Sequence, residues 1–392
     1  MSKYNFDQLI DRAGSRSVKI DALEERFGRT DLTSMWIADM DFAVCPEIIN
    51  ALKERIEHPI YGYSCPSPQY WESIINWLGN RYNFKVDFEE LTYIPGVVKG
   101  IALAVNYFTQ RGDKIIIQPP VYHPFKMVTE GNGRIVLNNP LIKTEDSYEM
   151  DFEHLERIIK EHQPRMMILC NPHNPAGILW EVETLQRLAS ICRKNNILVI
   201  SDEIHGDLTL YGKPHHPFAT VSDDAQAIAI TLGAPSKTFN IPGLVSSWVV
   251  IKNPELRIPF YQWLESNEFN ASTFVASIAT EVAYTHGAQW LTEATKYIEE
   301  NIATVIEYCD KHLPMLKPMR PQASFLMWLD CRQLGLPQNE LVDLFVNKAR
   351  LALNDGTMFG DEGEGFMRLN VACPRSVLIK ALEQLANAID CQ

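Results

Sequence analysis

The sequence predicts an α/β fold in which helices flank a mostly parallel β-sheet, together with a smaller α+β domain. Between about residues 90 and 250, short β-branched runs alternate with segments of helical length. These runs are almost continuously apolar, as expected for parallel strands that are covered on both faces. The chain has 392 residues, which favours two domains over one small core.

The larger domain is predicted from six strands and the helices between them. The predicted strands are Lys114–Gln118, Arg134–Asn138, Arg165–Asn171, Ile197–Asp202, Ala227–Leu232 and Ser246–Ile251. The segment Glu181–Asn195 has Leu185, Leu188 and Cys192 at helical spacing. Ligands of such sheets bind at the carboxyl ends of the strands, so the residues after each strand are the candidates for function.

The remainder of the chain predicts a small carboxyl-terminal domain. A long helix is expected over residues 286–313. It is followed by a strand, a helix, a strand and a closing helix at Ser324–Leu329, Asn339–Arg350, Phe366–Val371 and Val377–Ile389. The predicted division is an amino-terminal segment 1–50 that packs on the small domain, a large domain 51–285 and a small domain 286–392.

Composition excludes several classes of partner. The formal net charge of −13 argues against nucleic acid and anionic membranes. The eight cysteines form no C-x-x-C pair, which favours buried thiols over disulfides, and no metal site is expected. The chain starts with polar residues and contains no long apolar run, so a cytoplasmic location is predicted.

The first candidate residue is Asp202, at the end of a predicted buried strand. A buried carboxylate is costly unless a cation partners it, and a protonated pyridine nitrogen is such a cation. The alternative is an aspartate that caps a following helix.

Lys237 follows the next predicted strand, within the segment Gly233–Gly243. Desolvation lowers the pKa of a lysine and prepares it to form an imine and to act as a base. An ordinary loop lysine is the alternative, but its position one strand after Asp202 favours a shared site.

A rigid turn follows the strand Arg165–Asn171. The segment Cys170–Gly177 contains two Asn-Pro steps and a glycine, which hold the amide of Asn174 over the strand end. Asn174 could therefore donate to an oxygen of a cofactor, while the alternative is a turn without a ligand.

Two further segments suggest a flat, phosphorylated ligand. Tyr93–Gly100 places a glycine before a helix, whose first N–H groups can bind phosphate, although no P-loop pattern is present. Tyr122 follows the strand Lys114–Gln118 and could stack on an aromatic ring, the alternative being a core aromatic.

Together these residues resemble fold-type I pyridoxal-phosphate enzymes of the class I/II aminotransferase superfamily, over about residues 30–390. Within that superfamily the chain resembles the MalY/PatB branch of cystathionine β-lyases, or C–S lyases. The segments that carry this likeness are Met35–Phe42, Asp202–His205, Ser236–Asn240 and Met367–Asn370.

The resemblance implies pyridoxal 5′-phosphate as the cofactor and assigns the residues around its ring. Lys237 would bind it covalently and act as the base, and Asp202 would pair with the pyridine nitrogen. Asn174 would bond the phenolic oxygen, Tyr122 would stack on the ring and act in catalysis, and His205 would lie beside it.

The resemblance also assigns the phosphate and the substrate. The phosphate would be bound by the backbone of Val97 and Val98, by Ser236 and by Tyr63 from the partner subunit of a homodimer. Arg368 would bind the substrate carboxylate as a bidentate fork, and Ala38 would contact the substrate. A surface ion pair is the alternative for Arg368.

Two positions depart from the aminotransferase pattern. Many aminotransferases have an arginine on the phosphate where this chain has Val245, and a tyrosine where it has His205. Both changes follow the C–S lyase branch.

The predicted reaction is therefore the α,β-elimination of cystathionine, cystine or a related thioether to a thiol, pyruvate and ammonia. An aminotransferase is the first alternative, because Lys237 and Asp202 serve both reactions. A regulatory protein that retains a cofactor site is the second.

Overall fold

A computed structural model describes residues 3–390, and its centre is a seven-stranded sheet. Six strands are parallel to one another, and Ser247–Val250 runs antiparallel to both of its neighbours. In spatial order the strands are Leu91–Ile94, Ser247–Val250, Ala229–Gly233, Leu198–Asp202, Met166–Cys170, Lys114–Ile117 and Ile135–Asn138. The predicted α/β class is confirmed, and the six predicted strands end within two residues of the observed bounds.

Helices cover both faces of the sheet. They are Pro46–Glu57, Pro68–Tyr82, Val97–Phe108, Pro124–Gly131, Phe152–His162, Val182–Lys194, Asp223–Ile228, Pro254–Ser266 and Phe274–His286. Side chains alternate between the faces of a strand, so Met167 and Leu169 lie in one apolar cluster while Met166 and Ile168 lie in another. Two separate cores result, which explains why this strand is apolar at every position.

The carboxyl-terminal region contains the long helix Ala288–His312 and the closing helix Arg375–Asp390. Between them is a four-stranded antiparallel sheet of Lys317–Pro318, Leu326–Asp330, Phe366–Asn370 and Asn354–Asp355.

The helix predicted over Asn339–Arg350 differs from the observed structure. An α-helix spans Gln338–Asp343 and continues as a π-helical turn over Leu344–Lys348, in which the N–H of Ala349 donates to the carbonyl of Leu344. The consecutive side chains of Leu344, Phe345 and Val346 are all buried, and the wider turn lets all three face the core.

The amino-terminal segment contacts this carboxyl-terminal region. Its short helices Val18–Asp21 and Leu23–Phe27 precede the strand Thr33–Ser34, which pairs in parallel with Leu351–Ala352. Trp36 packs in a small apolar cluster with Val346. The division into residues 1–50, 51–285 and 286–392 stays a prediction.

Two sequence expectations concern the whole chain. The described cysteines are all free, and all of them except Cys65 are buried; Cys391 lies outside the described residues. Within residues 3–390, no helix combines the length and the apolar character needed to cross a membrane.

Candidate active site

A cavity of about 280 Å³ lies at the carboxyl ends of the central strands. Every predicted site residue except Arg368 and Tyr63 lines it. The lining consists of Ala38, Pro95, Gly96, Val97, Val98, Lys99, Tyr122, Cys170, Asn174, Asp202, Ile204, His205, Ser236, Lys237, Pro242 and Val245. Tyr63 is fully exposed, in a segment without regular structure between the helices Pro46–Glu57 and Pro68–Tyr82.

Lys237 lies in the short helix Pro235–Thr238, which follows the strand Ala229–Gly233. Its Nζ donates a hydrogen bond of 2.5 Å to the carbonyl of Ala38. Burial of the amine, with a smaller contribution from the charge of Arg368, lowers the pKa of Lys237 to about 8, although the charges of Asp39 and Asp202 oppose this shift. Lys237 is therefore not a solvated loop lysine, and its neutral form is accessible near neutral pH.

Asp202 is the last residue of the strand Leu198–Asp202 and is 3% exposed. Burial raises the pKa of its carboxyl group to about 7, although a hydrogen bond of 3.1 Å from the N–H of Ile204 opposes this. Turns rather than a helix follow Asp202, so the helix-cap alternative is wrong. A cation placed against this carboxylate would restore its ionised form.

Arg368 lies behind the cavity, on the strand Phe366–Asn370, and is 4% exposed. Its Nη1 donates to Oδ1 of Asn174 at 3.0 Å and its Nη2 to Oδ1 of Asn354 at 2.7 Å. The guanidinium packs over the ring of Phe359, and its Nε has no partner among the described residues. Burial lowers the pKa of Arg368 to about 10.

The surface ion pair considered for Arg368 is thus wrong, since its partners are neutral amides. Asn174 accepts through Oδ1, which leaves its Nδ2 as the donor toward the cavity. The same residue therefore links the guanidinium to the site.

Aromatic side chains of two kinds line the cavity. Tyr122 is partly buried there and also packs against the apolar cluster that contains Met166 and Ile168, and burial with the nearby charge of Asp202 raises its pKa. Burial lowers the pKa of His205 to about 3, so its imidazole is neutral at neutral pH. Its Nδ1 has no hydrogen-bond partner in the described part of the chain.

The opposite end of the cavity is formed by the start of the helix Val97–Phe108. Gly96 precedes it with φ of 105°, a value that glycine adopts readily and other residues avoid. The first N–H groups of a helix have no intrahelical acceptor, so those at Val97 and Val98 remain available near the hydroxyl of Ser236.

Sequence reasoning missed the role of one turn beside Lys237. Ile37 has φ of 52°, which is unusual for a β-branched residue. Two asparagine side chains hold Ile37 in this conformation. Asn354 accepts from the N–H of Ile37 at 3.0 Å, and Asn370 donates to the carbonyl of Ile37 at 2.8 Å. The turn thereby presents the carbonyl of Ala38 to Lys237. Nothing in the sequence marks Asn354 as a partner of both Ile37 and Arg368.

A set of paired charges lies next to this turn; we call Arg12, Lys19, Asp39 and Asp41 the N-terminal charge cluster. Arg12 contacts Asp39 at 2.7 Å and Asp41 at 2.6 Å. Lys19, only 1% exposed, contacts Asp41 at 2.9 Å. This cluster was also not predicted.

Comparisons with known proteins agree with this geometry. The family model "Aminotransferase class I and II" matches residues 30–385. Cystathionine beta-lyase PatB of Bacillus subtilis is 43% identical over 98% of this chain and the whole of that protein. Protein MalY of Escherichia coli is 32% identical over 98% of this chain and 99% of that protein.

Solved structures show the same fold. Cystalysin from Treponema denticola, whose crystal structure contains a pyridoxal 5′-phosphate cofactor, superposes with a TM-score of 0.95 at 31% identity, covering 99% of both chains. A C–S lyase from Staphylococcus hominis in its pyridoxal-phosphate-bound form has a TM-score of 0.91 at 31% identity over 98% of both chains. The chain therefore belongs to the class I and II aminotransferase family, as the sequence motifs predicted.

Proposed function

We propose that this protein is a pyridoxal-phosphate-dependent carbon–sulfur β-lyase that, with uptake of one water molecule, converts cystathionine, cystine or a related thioether to a thiol (a persulfide in the case of cystine), pyruvate and ammonia. The observation that carries the proposal is the arrangement of Lys237, Asp202 and Arg368. Asp202 and Arg368 are buried and Lys237 is partly buried, and none of the three has an ion-pair partner among residues 3–390.

The residues of the cavity fit this cofactor. Its volume of about 280 Å³ is near the lower end for small-molecule sites. An amine that can react with an aldehyde lies at one wall, a carboxylate suited to a pyridinium nitrogen at another, and free N–H groups suited to a phosphate at the end. Asn174 and Ser236 add donors for the remaining oxygens.

Each side chain of the site has a separate role in the proposed reaction. Bound pyridoxal phosphate supplies an electron sink for the negative charge that develops at the substrate Cα. Asp202 keeps a proton on the ring nitrogen, and Arg368 fixes the substrate carboxylate. The amine of Lys237, with its lowered pKa, removes the α-proton. Tyr122, which lines the cavity, would pack on the cofactor ring, and we assign proton delivery to the departing sulfur to Tyr122 or Lys237.

Elimination is favoured over transamination by the relatives and by two positions in the site. Relatives over nearly the whole chain are named cystathionine beta-lyase and C–S lyase. His205 and Val245, which line the cavity, are the two departures from the aminotransferase pattern.

The test is an absorbance spectrum of the purified protein, followed by assays of pyruvate and thiol release from cystathionine, cystine and S-alkyl cysteines. Pyruvate is expected without any added keto acid. Amino-group exchange that depends on a keto acid and outpaces elimination would replace the lyase by an aminotransferase.

The proposal includes a homodimer in which each subunit completes the site of the other. Tyr63 is fully exposed, and Ile56, Ile60 and Tyr61 expose further apolar surface nearby. Tyr63 then reaches the phosphate of the partner. A Tyr63→Phe variant should release the cofactor faster while remaining dimeric by light scattering, and a monomeric wild-type protein with full activity would contradict this part.

A reducing, cytoplasmic location completes the proposal. It is supported by the free cysteines, most of which are buried as thiols in the described chain. Fractionation of cells with an antibody against the protein tests it directly.

A further inference from the structure

The phosphate end of the cavity has little positive charge of its own. Among the described residues that line the cavity, the cationic side chains are Lys237 and Lys99. Lys237 donates a hydrogen bond to the carbonyl of Ala38, and Arg368 donates one to Asn174, which separates it from the cavity. Only Lys99 belongs to the segment that forms the phosphate end.

We infer that Lys99 supplies the cation that balances the cofactor phosphate, an inference that rests on the proposed function. Lys99 is the third residue of the helix Val97–Phe108, so its side chain starts in the same first turn as the free N–H groups of Val97 and Val98. It lines the cavity and yet is exposed, so its ammonium group reaches the phosphate from the solvent side.

The surroundings leave Lys99 free for this task. The described residues offer it no hydrogen bond or ion pair, and the first turn of its helix contains no acidic residue. Binding a phosphate therefore breaks no existing interaction of the ammonium group. A compact, flexible ammonium suits a mobile phosphate as a point charge.

Val245 provides a matched site for rescue. It lines the same end of the cavity, is 42% exposed, and its Cγ1 lies 3.8 Å from the position that a Cβ on Gly96 would occupy. An arginine introduced at this position therefore has room to extend toward the same anion from the other wall.

The experiment measures release of the cofactor from holoenzymes loaded with pyridoxal phosphate or with pyridoxal, which lacks the phosphate. Loss of visible absorbance on dilution reports the release rate. K99A should release pyridoxal phosphate about tenfold faster, as expected for a hydrogen bond to a charged group, and pyridoxal at the wild-type rate. K99R should behave as wild type, and V245R should restore slow release in the K99A background.

The control is K160A, which removes an exposed lysine from the helix Phe152–His162, away from the cavity, and should change neither rate. Equal release of pyridoxal phosphate from K99A and wild type would overturn the role of Lys99. Equal acceleration for both ligands would also overturn it, because the effect would then not depend on the phosphate. A wild-type protein that binds neither ligand would instead overturn the proposed function.

Discussion

Two groups of partly or fully buried charged residues lie next to the turn at Ile37 and Ala38, and they differ in their partners. In the N-terminal charge cluster, the cations Arg12 and Lys19 face the carboxylates of Asp39 and Asp41 at 2.6–2.9 Å. On the cavity side, Lys237, Asp202 and Arg368 bond only neutral partners, which are a carbonyl, an N–H and two amides.

The difference separates charges used for structure from charges kept for a ligand. Paired charges satisfy one another, and the pKa of Arg12 is raised by Asp39 and Asp41 although burial opposes this. Unpaired charges shift toward neutrality instead, so the pKa of Asp202 rises and that of Lys237 falls. A buried ionisable group without an ion-pair partner is suited to bind a ligand that carries the opposite charge.

The largest effect is expected for Lys237→Ala. Turnover should fall by at least about 10³-fold, because the group that removes the α-proton is gone. The visible absorbance of the lysine-bound cofactor should disappear, while the melting temperature of the cofactor-free protein should not fall, since a desolvated amine has been removed. K160A is the control, and near-normal turnover in the Lys237 variant would show that another residue is the base.

Asp202→Asn should have the next largest effect. The amide keeps the shape of the side chain but cannot hold a protonated ring nitrogen, so turnover should fall by about 10²- to 10³-fold. Steady-state assays with saturating cofactor measure this. A variant within tenfold of wild type would mean that the carboxylate is not opposite the ring nitrogen.

The same variant tests the pKa of Asp202. A folded-state pKa of about 7, above the ordinary value of 3.8, means that the carboxyl contributes stability at low pH that is lost as the pH rises toward 7. Cofactor-free wild type should therefore lose melting temperature between pH of about 4 and 7, and Asp202→Asn should lose less. Parallel curves for the two proteins would contradict the shift.

Arg368→Lys should raise the KM by about tenfold or more and change kcat less, because a point charge replaces a bidentate fork. Asn354→Ala is the matched variant, and it should raise the KM by a smaller factor, since Asn354 contacts the guanidinium of Arg368 and not the substrate. If kcat fell instead and the KM stayed constant, Arg368 would not bind the ground-state carboxylate.

Lys19→Met should lower stability and leave turnover nearly unchanged, in contrast to the active-site variants. Removing one cation from the N-terminal charge cluster leaves Asp39 and Asp41 short of a partner and should destabilise the protein by about 3 kcal/mol. Turnover below the new melting temperature should change by less than about threefold. Chemical denaturation measures the first quantity, and a large loss of turnover without loss of stability would place this cluster in the active site.

The strands and the functional residues at their carboxyl ends could be predicted because local sequence determines them. Apolar β-branched runs such as Ile115–Ile117 have few alternatives to a buried strand, and a polar residue directly after such a run must lie at the sheet edge. This is why Asp202, Asn174 and Lys237 could be placed in one site before the structure was known.

Contacts between distant segments could not be predicted in the same way. Asn354 bonds the backbone of Ile37 across 317 positions of sequence, and no local pattern indicates which distant segment an amide side chain will contact. The π-helical turn at Leu344–Lys348 depends on packing rather than on helix propensity. The assignment of Tyr63 to a partner subunit rests on the resemblance alone.

The bonds of Asn354 have a consequence for redesigning the enzyme. Its single oxygen, Oδ1, accepts both from Arg368 and from the N–H of Ile37, the residue before the carbonyl that holds Lys237. A library that varies Arg368 to admit substrates without a carboxylate would therefore also loosen the backbone beside the reactive amine. Such a library needs a replacement donor for Asn354, so that new selectivity is not obtained at the expense of the lysine's alignment.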